Sequence, residues 1–494
     1  MTSATSGGTG FTFRQALILA VAGIGFLFDT YELLMFPVTG SQALTELLKV
    51  PQGHPSVIIW SGRMLWIAAL CGGIFGLMGG WLIDRFGRKT IMALSIFAYS
   101  FSPVAAAYST SLAMLVFFRC TTFIGVCVEL VAAVTWLSEL FENKRQRKLV
   151  LGWSLALASL GGILVTEVFN HITDIAKTLP DLGVPDGFDG HAAWRYTLLT
   201  GLVPGAMILF LLPFVPESRI WAEKKAAGAL RRPRIRELFQ PGLIRTTLVT
   251  TALSACGYAA AFGALQMTPL QLVPGMPDIA TENNAVIAES KAIQSELKKL
   301  PDGTKPGPEL AKRQADLKDN QTNIRHKIEK RRGNIQRWQE LGGLLGRIIL
   351  AVGLLLIASH KQLLRLFLIP GVFLLPITYF YLYHEPYNIF AIAIFFSGLL
   401  IVAQFSYMSE YLPRVFPLHL RGTGGSFAAN VGGRMFGTMA ATLNTEILSP
   451  MLTFAGPTPA ARIAVAAAII SGSAFALALV LSFLLPAPIQ ENAD

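Results

Sequence analysis

Gly80-Trp81-Leu82-Ile83-Asp84-Arg85-Phe86-Gly87-Arg88-Lys89 lies where two long apolar runs, expected over 57–80 and 88–108, meet. Each run is long enough to cross a hydrocarbon core of ~30 Å at ~1.5 Å per residue, so the decade reads as a tight loop between two membrane spans. Gly80 and Gly87 permit the turn, and Asp84 is placed to pair with a neighbouring arginine or a helix N-terminus. Arg85, Arg88 and Lys89 mark the face of the membrane on which the loop lies.

Outward from this loop the same pattern recurs. The chain of 494 residues is 53% hydrophobic and only 14% charged, with a mean hydropathy of +0.52, too apolar for a soluble globule of its size. Twelve spans are expected, at 15–40, 57–80, 88–108, 111–140, 148–170, 194–215, 243–272, 338–359, 363–383, 387–412, 421–446 and 460–486. The fold class is therefore an all-α membrane protein of twelve transmembrane helices. Short loops on the side of the 80–89 decade hold 19 lysines and arginines, against 4 (Lys49, Lys177, Arg195 and Arg462) on the other side. That asymmetry predicts a multi-pass protein of the cell (inner) membrane with both termini cytoplasmic. The formal charge of +11 is mostly this bias and calls for the lipid bilayer, not a nucleic acid, as partner. The polar start Met1 to Gly10 leads into a span too long for a cleavable signal core, so the first span is expected to serve as the insertion signal.

Several chemistries are disfavoured. All four cysteines, Cys71, Cys120, Cys127 and Cys256, fall inside expected spans without metal-ligand spacing. No G-x-x-x-x-G-K-S/T loop is present, so ATP is not a direct driver. The seven histidines lie outside the spans, against a histidine proton relay or a membrane metalloenzyme. No enzyme activity, cofactor or metal is expected.

The chain divides into a six-helix half over 1–215, an amphipathic cytoplasmic linker over 216–242 and a second six-helix half over 243–494. Weak internal echoes support duplication: Gly62-Arg63 opens span two as Gly346-Arg347 opens span eight. The segment 273–337 interrupts the second half with thirteen basic and nine acidic residues. Val286, Ile293 and Leu297, then Leu310, Leu317, Ile324, Ile328, Ile335 and Trp338, repeat at heptad intervals on either side of a Pro/Gly turn at 301–308. They predict an antiparallel helical hairpin standing outside the membrane.

A charge at membrane depth costs ~2.5–3.5 kcal/mol on insertion scales, so those present are paired or used. The census gives Asp29, Glu32, Arg63, Arg119, Glu129, Arg347 and Arg434. Asp29 and Glu32 share one helix face, and counting inward from the helix ends places an acid of span one at the depth of Arg119. Arg63 is near enough to the surface to snorkel. Glu129 lies deeper with no partner on its own helix, and an acid so placed is able to bind a proton near neutral pH. Arg347 and Arg434 are either satisfied by carbonyls or ligands for substrate, and Gln266, Gln404, Tyr407 and Asn430 offer hydrogen bonds without charge.

The decade at 80–89 closely resembles the signature loop of the major facilitator superfamily. Arg119, Gly125, Glu129 and Glu139, ahead of the basic cluster Lys144 to Lys148, are similar to that superfamily's fourth-helix motif. The ten-residue step from Arg119 to an acid resembles the phosphate:proton and metabolite:proton symporter branches. Gly25-Phe-Leu-Phe-Asp29-Thr-Tyr31-Glu32 resembles an acid-aromatic-acid motif of those branches and of aromatic-acid:proton symporters, and PESRIW at 216–221 is similar to the sugar porters' central-loop motif. The resemblance implies alternating access, proton coupling through Asp29, Glu32 and Glu129, and a cytoplasmic latch made of Gly80, Asp84, Arg85, Gly87, Arg88, Glu139 and Arg147. It implies a functional monomer whose partners are protons and a small-molecule substrate. Acids concentrate in the first half and the lone Arg347 and Arg434 in the second, which slightly favours an organic anion over a sugar. A sugar porter-like carrier and a non-transporting sensor on the transporter fold stay open as alternatives.

Overall fold

A computed structural model of the chain describes residues 13–50, 53–140, 144–214, 217, 219–227, 234–297, 307–357, 359–417 and 420–489. Among them there are helices, turns and no strand. Among the described residues, nine helices are long and apolar enough to cross a membrane. The other three spans are Lys144–Ile175, the pair Ala193–Leu199 and Leu202–Leu211, and the run that starts at Arg421. Two halves of six spans face each other, with span two against span eleven and span five against span eight.

Local chemistry sets several boundaries. Pro55 opens span two behind His54, whose ring nitrogen accepts from the Ser56 amide at 3.2 Å. Ser359 and Thr458 accept from the Gln362 and Ala461 amides to open spans nine and twelve. Gly87 ends span two and starts span three at a φ of +99°, a conformation natural to glycine.

Two spans are not regular. Span seven passes from an α-helix, Ile244–Ala260, into π-helical turns at Ala261–Leu265 and Thr268–Leu272. Span eleven does the same at Ala428–Gly437 and Leu443–Leu448. Wide turns of this kind re-aim side chains and leave carbonyls free for other partners, and they frequently occur at functional sites. Gln266 lies between the two widened stretches of span seven, and Asn430 and Arg434 lie within the first of span eleven.

The insertion is helical in its described part. Helix Pro277–Leu297 lies against helix Pro308–Leu356, which continues without a break into span eight. Span eight therefore starts about thirty residues before the expected 338. The reason is physical: the apolar stripe needed by the hairpin and that needed by the span follow one another in helical phase, and only the charge content changes between them. Arg313 bridges Glu289 and Glu296 across the hairpin at 2.8 and 3.0 Å, and these acids hold its guanidinium above its ordinary pKa.

Candidate functional site

The widened spans seven and eleven meet spans one, four, eight and ten around a cavity of about 260 Å³. Its walls are mostly apolar, with Phe26, Leu33, Phe123, Phe262 and Phe405 among them. Ser409 and Leu412, in the last turns of span ten, line its end toward the face that carries the 80–89 loop. The opposite face is closed between the halves. Arg63 makes a bidentate pair with Glu446 at 2.7 and 2.8 Å, and Gln271 donates to Ser61 at 2.5 Å. From the long helix Arg332 donates to Ser41 at 2.8 Å, Arg337 to Glu167 at 2.7 Å, and Lys330 pairs with Asp174.

Of the residues expected from the sequence, Asp29, Gln266, Gln404, Arg347 and Arg434 line the cavity. Asp29 and Glu129 are buried and their carboxyl groups lie within hydrogen-bonding reach of each other. Asp29 Oδ1 and both Glu129 oxygens receive no N–H or O–H from other described residues. Gly25 leaves the room for the contact between the two acids, since a Cβ there would lie 2.4 Å from Glu129 Oε1. Arg434 belongs to the other half. It donates to Asn430 Oδ1 at 2.6 Å, reaches Tyr258 and lies beside Asp29. Asn430 thus orients the arginine, whereas Tyr407 stands apart from the cavity lining, stacked on Tyr411 at 5.4 Å.

Arg119 and Glu32 lie outside this cavity. The Arg119 guanidinium donates to the backbone carbonyls of Glu32 and Leu33, each at 2.9 Å, and sits over the rings of Phe123 and Phe36. Span one meets Arg119 through these carbonyls and through the charge of the fully buried Glu32, whose carboxyl also lies against Gly201 of span six.

At the loop, a Cβ on Gly87 would lie 2.5 Å from Glu217 Oε2. Glu217 comes from the PESRIW stretch of the linker and accepts from the Arg88 and Lys89 amides at 3.1 Å, capping the start of span three. Buried Arg88 donates to the Ile83 carbonyl at 3.2 Å, and Arg85 sits over Trp81 and Phe86. The expected latch residues Gly80, Asp84, Glu139 and Arg147 are described by backbone alone, and their side-chain environments lie outside the described residues.

Two polar groups at this site are absent from the sequence-derived set. Glu340 lines the cavity and is only 6% exposed. An expected span start at 338 puts it at the membrane edge, whereas the structure sets it in the cavity lining. Its signal is the seven-residue step to Arg347, which sets both on one face two turns apart. Glu446, in the second widened stretch of span eleven, is the partner of Arg63.

The family model described as "Sugar (and other) transporter" matches residues 15–232. Among curated proteins, the niacin transporter NiaP of Acinetobacter baylyi is 30% identical over 206 residues, 41% of this chain and 40% of the relative. The 4-hydroxybenzoate transporter PcaK of Pseudomonas aeruginosa is 31% identical over 180 residues, 35% of each. The sialic acid transporter NanX of Escherichia coli is 26% identical over 217 residues, 43% of this chain and 46% of the relative. The chain thus spans less than half the length of these relatives in alignment. Against solved structures the similarity runs end to end. The xylose transporter XylE from E. coli, in a partially occluded inward open conformation, superposes with a TM-score of 0.64 at 14% identity over 98% of this chain and 100% of that one.

Proposed function

We propose that this chain, a member of the major facilitator superfamily, is a secondary active transporter that moves a small organic anion together with protons by alternating access. The observation that carries the reading is the acid pair Asp29–Glu129 of the first half set beside Arg434 of the second, in a cavity closed on one face of the membrane. The mechanism follows from charge balance. In the empty carrier Arg434 offsets the charge left on the acid pair, which holds one proton between its two carboxyls. An anion entering the cavity engages Arg434 and withdraws that compensation. The pair then takes up a second proton, since an uncompensated carboxylate at this depth is costly. Substrate and proton therefore load together, and the loaded site carries no more net charge than the empty one, which favours passage through the occluded state.

Three matched relatives bear the names of carriers for niacin, sialic acid and 4-hydroxybenzoate, all carboxylates. The two cavity arginines, Arg347 and Arg434, fit that chemistry better than they fit a neutral sugar. The test compares accumulation and exchange in proteoliposomes. Glu129→Gln fixes a neutral group at the pair. It is expected to retain substrate exchange, nearly independent of pH, and to lose accumulation driven by a pH gradient. Undiminished accumulation by the variant would refute coupling through this pair.

A further inference from the structure

The acid pair and Arg434 leave one buried carboxyl in the cavity wall without a role. Glu340 stands on span eight of the second half and lines the same cavity as Asp29, with the charge of Arg347 acting on it. Its Oε1 is fixed by two amides, accepting from Gln336 at 2.7 Å and from Gln339 at 3.2 Å. Its Oε2 points to the first half, where Gly162 gives way to it: a Cβ at that position would lie 2.2 Å from Oε2. Further acceptors accompany it. The amide oxygens of Gln336 and Gln339, and that of the cavity-lining Gln266, receive no donor from the described residues. Of these only Gln266 shares the cavity lining with Glu340, and a buried acceptor left without a donor is costly unless a ligand brings one.

We propose that Glu340 is a specificity-determining residue, accepting a hydrogen bond from a hydroxyl or amine on the transported anion. The carrier would then select hydroxy- or amino-substituted carboxylates over their unsubstituted parents. The inference rests on the anion reading above and adds the second point of attachment. Arginine holds the carboxylate, and Glu340, buried and pre-oriented by Gln336 and Gln339, reads the donor at the other end. A buried site built around such a hydrogen bond discriminates strongly against an analogue that lacks the donor, because the acceptor is then stranded.

The probes are benzoate, 3-hydroxybenzoate and 4-hydroxybenzoate, titrated calorimetrically into the purified full-length protein at one pH. The parent is expected to bind at least one hydroxylated probe about tenfold or more tighter than benzoate. Glu340→Gln keeps the shape and removes the charge. It is expected to bring that ratio to about threefold or less, chiefly by weakening the hydroxylated ligand. Gly162→Ala leaves the carboxylate in place but pushes Oε2 out of position, and is expected to collapse the ratio in the same way. A purely structural Glu340 would weaken all three ligands alike. Binding of all three with a ratio unchanged in both variants overturns the role of Glu340 and leaves the anion reading standing. Failure of the parent to bind any of the three at millimolar concentration, while it binds D-xylose, overturns the anion reading and this inference with it.

Discussion

The bidentate pair between Arg63 and Glu446 is made across the two halves on the closed face, so it stabilises that conformation and is lost when the face opens. Its contacts are 2.7 and 2.8 Å, but the side chains are 41% and 24% exposed, which places it nearer the surface regime of ~0.2–1 kcal/mol than that of a buried pair. Bidentate geometry favours the upper end, and ~1 kcal/mol corresponds to about a fivefold change in the ratio of the two conformations. Spin labels at positions 56 and 451, at the ends of spans two and eleven, report that ratio as short and long distances in the parent, Arg63→Gln, Glu446→Gln and the double variant. Each single substitution should raise the long-distance population about fivefold, and the second should then add little, giving a coupling energy of ~1 kcal/mol. Strict additivity, or a shift toward the short distance, would show that the pair is not part of the closure.

Further outcomes are expected from the same geometry. Glu217→Gln removes the charge that caps span three and should lower transport at unchanged expression, the helix-terminus interaction being worth ~0.3–1 kcal/mol. Gly87→Ala should do more harm, since it combines a disfavoured φ with a clash against Glu217, and a rate equal to the parent's would refute a mechanical role for this loop. Replacing Asp174 and Glu167 together by their amides should favour opening of the hairpin face, read as faster labelling of a cysteine at position 41. A cysteine at position 303 should react with an impermeant reagent from outside intact cells and one at position 232 should not; the reverse pattern would invert the topology.

The spans were legible because each needs about twenty apolar residues, and the 80–89 loop because glycine and charge recur there at fixed steps. The hairpin was legible in its heptads. Its continuity with span eight was not, since charged residues from Glu309 to Arg337 mask a helix that hydropathy detects only beyond them. Glu340 fell inside the expected span, but only two residues from its start, where a charge reads as a membrane-edge residue. The Asp29–Glu129 contact was invisible for another reason. Depth sets an acid of span one level with Arg119 and leaves Glu129 without a partner on its own helix, and Arg119 is also met by the Glu32 and Leu33 carbonyls, acceptors no side-chain census includes. Pairs across the halves, such as Arg63–Glu446, depend on how two separately folded units meet, which neither half encodes locally.

Only contacts that differ between two conformations bias the equilibrium between them. Asp29 and Glu129 both belong to the first half, on spans one and four, which pack against each other. The attraction between Asp29 and Arg434 crosses the halves, and so its strength can depend on conformation. In the proposed cycle, protonation of the acid pair would weaken that attraction and an anion on Arg434 would replace it, so both ligands would act on the same cross-half term. The long helix extends this logic beyond the membrane. Because Pro308–Leu356 is one rigid element, the hairpin must move with span eight. Its ion pairs to Asp174 and Glu167 on span five are then contacts of the closed face alone, opposing by a few tenths of a kcal/mol each the opening that an empty, singly protonated site would otherwise allow.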